Sequence, residues 1–154
     1  MTEDRGTRPQ RLSTAADFTV GQRAAFSKTV TEVDLALFVA ITGDVNPLHV
    51  DEEFARRTFF GGRIVHGLLG GSLLSTVVGT LLPGTGAIYR EQSFRFRKPV
   101  RVGDTLTATV EVEAIDAERG ELRLATWVGN QKGETVIDGE AVVALIRRLL
   151  PESR

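Results

Sequence analysis

The chain has no cysteine. That excludes disulfides, thiol catalysis and cysteine metal ligands, and it is compatible with a reducing cytosol. Histidine is almost as scarce. With only His49 and His66 present, a three-histidine zinc site is excluded as well. Neither sign of charge dominates: 19 basic side chains face 20 acidic ones, for a net charge of −1. No basic stripe points to nucleic acid and no polybasic segment to an anionic membrane. The opening residues, MTEDRGTRPQR, lack the apolar core of a signal peptide. The longest apolar run, Gly61 to Leu82, is broken by Arg63, His66 and several glycines, so it is a poor membrane span. The expectation is a cytoplasmic protein with neither nucleic acid nor membrane as partner.

What is present is enough for one domain. The chain has 154 residues, 42% of them hydrophobic, which supports a single core. Residues 1–17 are polar without an apolar period and read as a flexible N-terminal tail. Residues 18–150 read as the domain. A glycine turn at Gly21 precedes a short strand, roughly Arg23 to Val30. Thr31 then opens a helix through TEVD, a capping box with Asp34 in the third position. Val33, Leu37, Phe38 and Ile41 follow near helical spacing, and Gly43 ends the run. Asn46-Pro47 signals a turn whose proline stiffens the link between Asp44 and His49. Asp51 caps a short helix over about Glu52 to Arg57.

From about Val65 to Leu81 the pattern is apolar nearly all round, which predicts a helix buried on every side. At 1.5 Å per residue it would span about 25 Å. Its glycines each lower helix propensity by about 1 kcal/mol relative to alanine, which makes sense where a sheet or a ligand packs closely. After Pro83-Gly84 the chain alternates at period two. The stretches are Gly86 to Arg97, interrupted near Glu91 and Gln92, then Asp104 to Ile115, Leu122 to Val128 and Thr135 to Leu149. Turn signals fall at 102–104, 118–120 and 131–133. These predict three consecutive hairpins and an antiparallel sheet. One early buried helix and a long meander give an α+β fold, with the sheet curled around the helix.

Four motifs then stand in order: TGDVNPLHVD at 42–51, RIVHGLL at 63–69, LPG at 82–84 and FRFRKPVRVGDTL at 94–106. Together they resemble the MaoC-like hydratase family, which includes the (R)-specific enoyl-CoA hydratases, over about Phe18 to Ile146. The resemblance implies a hot-dog fold, in which an antiparallel β-sheet wraps a long central helix. It implies a homodimer, or a dimer of dimers, with sheets joined edge to edge. It also implies an acyl-CoA thioester substrate, with coenzyme A as part of the substrate and no separate cofactor or metal. Asp44 and His49 match the family's catalytic acid and histidine. The backbone N–H of Gly67 matches its oxyanion donor, and Ser75 matches a serine facing the acyl pocket.

Hydration of a trans-2-enoyl thioester needs a base for water, an acid for C2 and donors for the charge developing on the thioester oxygen. Imidazole is the stronger base of the two candidate side chains. Which of Asp44 and His49 takes the water proton stays open, since two coupled groups need not titrate separately. The case for Gly67 also has a physical footing. First-turn N–H groups are unpaired and lie at the positive helix end, and a glycine admits the thioester closely. His66 has no acid at a useful spacing and reads as a structural histidine bonded to backbone near the helix start. Arg95, Arg97, Lys98 and Arg101 read as a solvated strand face, with the phosphates of coenzyme A as the alternative partner. The RRTFF segment before Gly61 is a candidate for closing the acyl pocket. Two other functions use the same frame. A hot-dog thioesterase often carries a carboxylate on the central helix, and Ile64 to Leu82 has none. A non-catalytic acyl-CoA-binding domain needs neither Asp44 nor His49.

Overall fold

The computed structural model describes residues 12–146. Six strands form one antiparallel sheet: β1 (Arg23–Thr29), β2 (Ala87–Gln92), β3 (Arg95–Phe96), β4 (Thr105–Asp116), β5 (Glu121–Gly129) and β6 (Thr135–Leu145). Their spatial order is β1-β4-β5-β6-β2, with β3 also paired to β6. The sheet wraps α4 (Gly67–Thr80), which touches β1, β2, β4, β5 and β6. This is the hot-dog arrangement. On β4, Leu106, Ala108, Val110 and Val112 alternate inward and are fully buried, as a half-buried strand requires. They meet Leu69, Leu73, Leu74, Val77 and Val78 of α4 in the core. Each such buried leucine or valine contributes about 1.5–3 kcal/mol.

Two of the three expected hairpins are present, β4–β5 and β5–β6. The turn at 102–104 is not a hairpin. β3 lies beside β6, whereas β4 pairs with β1. Residues 97–104 therefore carry the chain from one side of the sheet to the other. Gly103 closes that crossing against β1, donating its N–H to the Val30 carbonyl at 2.8 Å. The interruption anticipated near Glu91 is a register shift between Tyr89 and Glu91, followed by a break that separates β2 from β3.

α4 is shorter than its apolar run, and it is not buried on every side. Leu68, Ser72, Ser75 and Gly79 form an exposed stripe at helical spacing. Its glycines are explained where the sheet approaches. A Cβ at Gly70 would lie 3.1 Å from Ile137, and one at Gly71 would lie 3.1 Å from the Phe94 ring. Nothing in the structure explains Gly79.

The segment between β1 and α4 holds three short helices. α1 (Glu32–Thr42) starts at the Thr31–Asp34 capping box and stops at Gly43, whose φ of 72° is left-handed. The Thr31 backbone N–H donates to the Asp34 carboxylate at 2.8 Å, and it heads the causes that hold this carboxyl below its usual range. The apolar residues expected to face the core do not all do so. Leu35 is buried, whereas Val33, Leu37 and Ile41 are exposed, Ile41 at 82%. α1 presents only one narrow edge, Leu35 with Phe38, to the core. α2 (Pro47–Val50) replaces the expected turn with a single helical turn, and α3 (Glu52–Arg56) follows under the Asp51 cap.

Of the stretch read as a tail, residues 1–11 lie outside the described part. Ala15–Asp17 form one 3-10 turn, in which the Thr14 N–H donates to the Asp17 carboxylate. The far end of the predicted domain, residues 147–150, also lies outside the described part. No helix among the described residues is long and apolar enough to cross a membrane.

Candidate active site

Local backbone chemistry sets the first half of the site. Gly43 turns the chain out of α1, and the Asp44 N–H donates to Thr42 Oγ1 at 3.2 Å. Asp44 Oδ1 then accepts from the Asn46 N–H at 3.1 Å. One carboxylate oxygen is thus committed to the turn, and Oδ2 is left for other partners. Asn46 caps α2 by accepting from the Leu48 N–H at 3.1 Å, with Pro47 in the first helical position. Proline suits that position because its missing N–H would have had no partner there. This one-turn helix places His49 back beside Asp44.

The second half comes from the approach to α4. The Ile64 N–H donates to the Leu48 carbonyl at 3.1 Å, and the Val65 N–H donates to the Val100 carbonyl at 2.8 Å. His49 Nδ1 lies 2.8 Å from the Ile64 carbonyl oxygen. A carbonyl only accepts, so Nδ1 carries the hydrogen, and the neutral ring presents Nε2 as its lone-pair nitrogen. Arg101 braces the same segment. Its guanidinium donates to the Arg63 carbonyl at 2.7 Å and to the Phe60 carbonyl. The Arg63 N–H in turn donates to Glu52, the leading cause of that carboxyl's lowered pKa. Arg101 is therefore a brace on the loop before α4 and not part of a solvated face.

Asp44, His49 and His66 each bring a donor atom to within 4.8 Å of the others. His66 is the residue that sequence spacing misjudged. Its Nε2 lies 3.8 Å from Asp44 Oδ2 and 3.0 Å from the Asp44 carbonyl oxygen. The reading of His66 as bonded to backbone agrees with the second contact, but an acid does stand beside it. The two imidazoles stack, with centroids 3.7 Å apart and planes 29° from parallel. His49 Nδ1 and His66 Nε2 both donate to main-chain carbonyls.

Asp44, His49 and Gly67 share one cavity of about 570 Å³, lined chiefly by apolar residues such as Phe38, Phe60, Phe96 and Ile137. Gly67 is the first residue of α4, so its N–H has no acceptor within the helix. The Phe96 ring covers it closely: a Cβ at Gly67 would stand 2.6 Å from that ring. Ser75 is not in this cavity. It lines a second one of about 350 Å³, with Tyr89, Gln92 and Phe94, and Leu68 borders both. Eight residues along α4 separate Ser75 from Gly67 by about 12 Å, and turn it about 80° round the axis. Burial pushes the Tyr89 hydroxyl up to about 12, so it holds its proton.

Phe59 and Phe60 of the RRTFF segment both border the first cavity. Arg97 and Lys98 stand at its edge, already paired. Arg97 forms two bonds to Asp138, at 2.8 and 3.2 Å, and Lys98 reaches Glu134 at 2.6 Å. Arg95 lies 3.6 Å from Asp138. These three form a solvated, ion-paired strand face.

Known proteins match this chain in sequence and in fold. The MaoC like domain model matches residues 15–129. The (R)-specific enoyl-CoA hydratase of Rhodospirillum rubrum is 45% identical over 132 residues, covering 86% of this chain and 91% of that protein. The 3-hydroxybutyryl-CoA dehydratase of Methylorubrum extorquens is 46% identical over 134 residues, covering 86% and 83%. Among solved structures, the (R)-hydratase from Aeromonas caviae involved in PHA biosynthesis superposes with a TM-score of 0.80. That match is at 45% identity and covers 84% of this chain and 98% of the other. With the domain model spanning most of the chain and these relatives matching it nearly end to end, the chain belongs to the MaoC-like domain family.

Proposed function

We propose that this protein is a hydro-lyase that adds water to trans-2-enoyl-CoA, giving (R)-3-hydroxyacyl-CoA, and catalyses the reverse dehydration. The observation that carries this reading is the meeting of Asp44, His49 and the first N–H of α4 in one apolar cavity. The names of the relatives support the substrate class and the configuration.

The water sits between Asp44 Oδ2 and His49 Nε2. His49 is the base, because its Nδ1–H is spent on Ile64 and its Nε2 lone pair is free. As the water oxygen bonds to C3, its proton passes to the Asp44–His49 pair. The double-bond electrons move toward the thioester oxygen, and the Gly67 N–H donates to that oxygen. The pair then returns a proton to C2. The site ends as it began, and hydration changes no net oxidation state, so no redox cofactor is consumed. Ser75 and the second cavity serve the acyl chain beyond the reacting carbons.

An assay with crotonyl-CoA tests the reading. Loss of the conjugated enoyl absorbance without free thiol is expected. Thiol release would instead indicate a thioesterase, and binding with neither change a non-catalytic acyl-CoA-binding domain.

Two chains join through β2. That strand ends the sheet, and an unpaired edge is a template for pairing. Ile88 on it and Leu68 on the α4 stripe are about half exposed, at 48% and 57%, which supplies apolar area next to the edge. Sedimentation is expected to give twice or four times the mass of the 16.8-kDa chain. A single-chain mass at micromolar concentration would remove this assembly.

A further inference from the structure

His66 makes more contacts with the reacting groups than a histidine at a helix start requires. Its ring is 3% exposed. Nε2 donates to the Asp44 carbonyl at 3.0 Å and lies 3.8 Å from Asp44 Oδ2. One face of the ring carries His49 at 3.7 Å, and Phe38 packs against it with centroids 5.1 Å apart. The remaining nitrogen, Nδ1, is buried with no hydrogen-bond partner. A buried acceptor left unpaired costs stability, and phenylalanine or leucine would fill the same space without that cost. Packing alone therefore does not account for an imidazole here.

Two things would be lost with an apolar replacement at 66. The first is the N–H that ties the Asp44 main chain to α4. Asp44 is exposed and follows a left-handed glycine, so its loop has little else to hold it against the helix. The second, lost with leucine but kept with phenylalanine, is a flat face for His49. His49 is fixed at its far edge by Ile64, and the stack fixes the plane in which Nε2 points.

We propose that His66 is a positioning residue for hydration: its Nε2–H sets Asp44 and its ring seats His49, so that both reach one water. The proposal rests on the hydration reading, and it assigns His66 no contact with substrate. A group that acts only by aligning others affects turnover more than substrate affinity.

The test uses full-length protein and crotonyl-CoA. His66→Phe keeps the ring face and removes the donor. Its kcat is expected to fall about 100-fold, the scale of a misaligned reacting group, with KM within about 3-fold of wild type. Its melting temperature should change little, because removal of the unpaired Nδ1 offsets the lost bond to the Asp44 carbonyl. His66→Gln places an amide N–H near the Nε2 position and should recover about 10-fold of the lost kcat, whereas the shorter His66→Asn should not. A phenylalanine variant as active as wild type overturns the inference, and so does a loss confined to KM. Should that variant fail to fold, equal activities for the glutamine and asparagine variants overturn it instead. If wild-type protein itself does not hydrate crotonyl-CoA, the functional reading falls. If wild type is active and His66→Phe equally so, only the role of His66 falls.

Discussion

Asp44→Asn is expected to lower kcat for crotonyl-CoA hydration by at least about 100-fold, the usual scale for a lost acid or base. The exchange is close to isosteric. An asparagine oxygen can still accept from the Asn46 N–H that Oδ1 now holds, so the turn into α2 should survive. What disappears is the charge and proton affinity of Oδ2, the atom facing His66 at 3.8 Å. His49→Ala should cost a similar factor, since it removes the Nε2 lone pair that takes the water proton. If the two side chains hold one water and one proton between them, their losses will not multiply, and the double variant should be scarcely worse than either single one. Steady-state rates with the enoyl absorbance, alongside melting curves for each variant, measure this. Near-normal turnover in both single variants would mean that the reacting groups lie elsewhere.

Gly139→Ala should give the largest loss of stability. Gly139 lies in β6, and a Cβ there would stand 1.8 Å from the Ser93 carbonyl oxygen and 2.8 Å from its carbonyl carbon. Those atoms are main chain and cannot swing aside. Ser93 is held twice by Glu140: its N–H donates to the Glu140 carbonyl at 2.9 Å, and its hydroxyl accepts from the Glu140 N–H at 3.0 Å. Relieving the clash must break these bonds or push back the segment that leads to Phe94 and Phe96. Phe94 packs on Gly71 and Phe96 on Gly67, so the disturbance also reaches the start of the reacting helix. A loss of about 3 kcal/mol is expected, at the upper end for an overpacked site. Urea unfolding reads it directly, and a change below about 0.5 kcal/mol, typical of a harmless surface substitution, would contradict it.

Features encoded by neighbouring residues were legible in the sequence. Thr31 with Asp34 and Gly43 mark the two ends of α1, and Asp51 marks the start of α3, because caps and left-handed glycines act over three or four residues. Gly103, Gly120 and Gly133 sit at the marked turns with positive φ. The grouping of Asp44 with His49 was legible for the same reason: they stand five positions apart and α2 folds them together. His66 was not, since it meets Asp44 across 22 residues, through packing that no local period reports. The crossing at 102–104 carries the same turn residues as a hairpin, and only the pairing of β4 with β1 distinguishes it. Apolar spacing in α1 correctly indicated a helix, but it could not say which edge faces inward, since Leu35 alone is fully buried. The exposed stripe on α4 was hidden by the size of its residues, because glycine and serine interrupt an apolar pattern as weakly in a core as at an interface.

The claim that organises the site is that water attacks C3 and not the thioester carbon. Crotonyl-CoA incubated with the protein in H₂¹⁸O distinguishes the two. The account predicts ¹⁸O in the C3 hydroxyl of an intact, (R)-configured 3-hydroxybutyryl-CoA. Label appearing instead in the carboxylate of a free acid, with coenzyme A released, would contradict it.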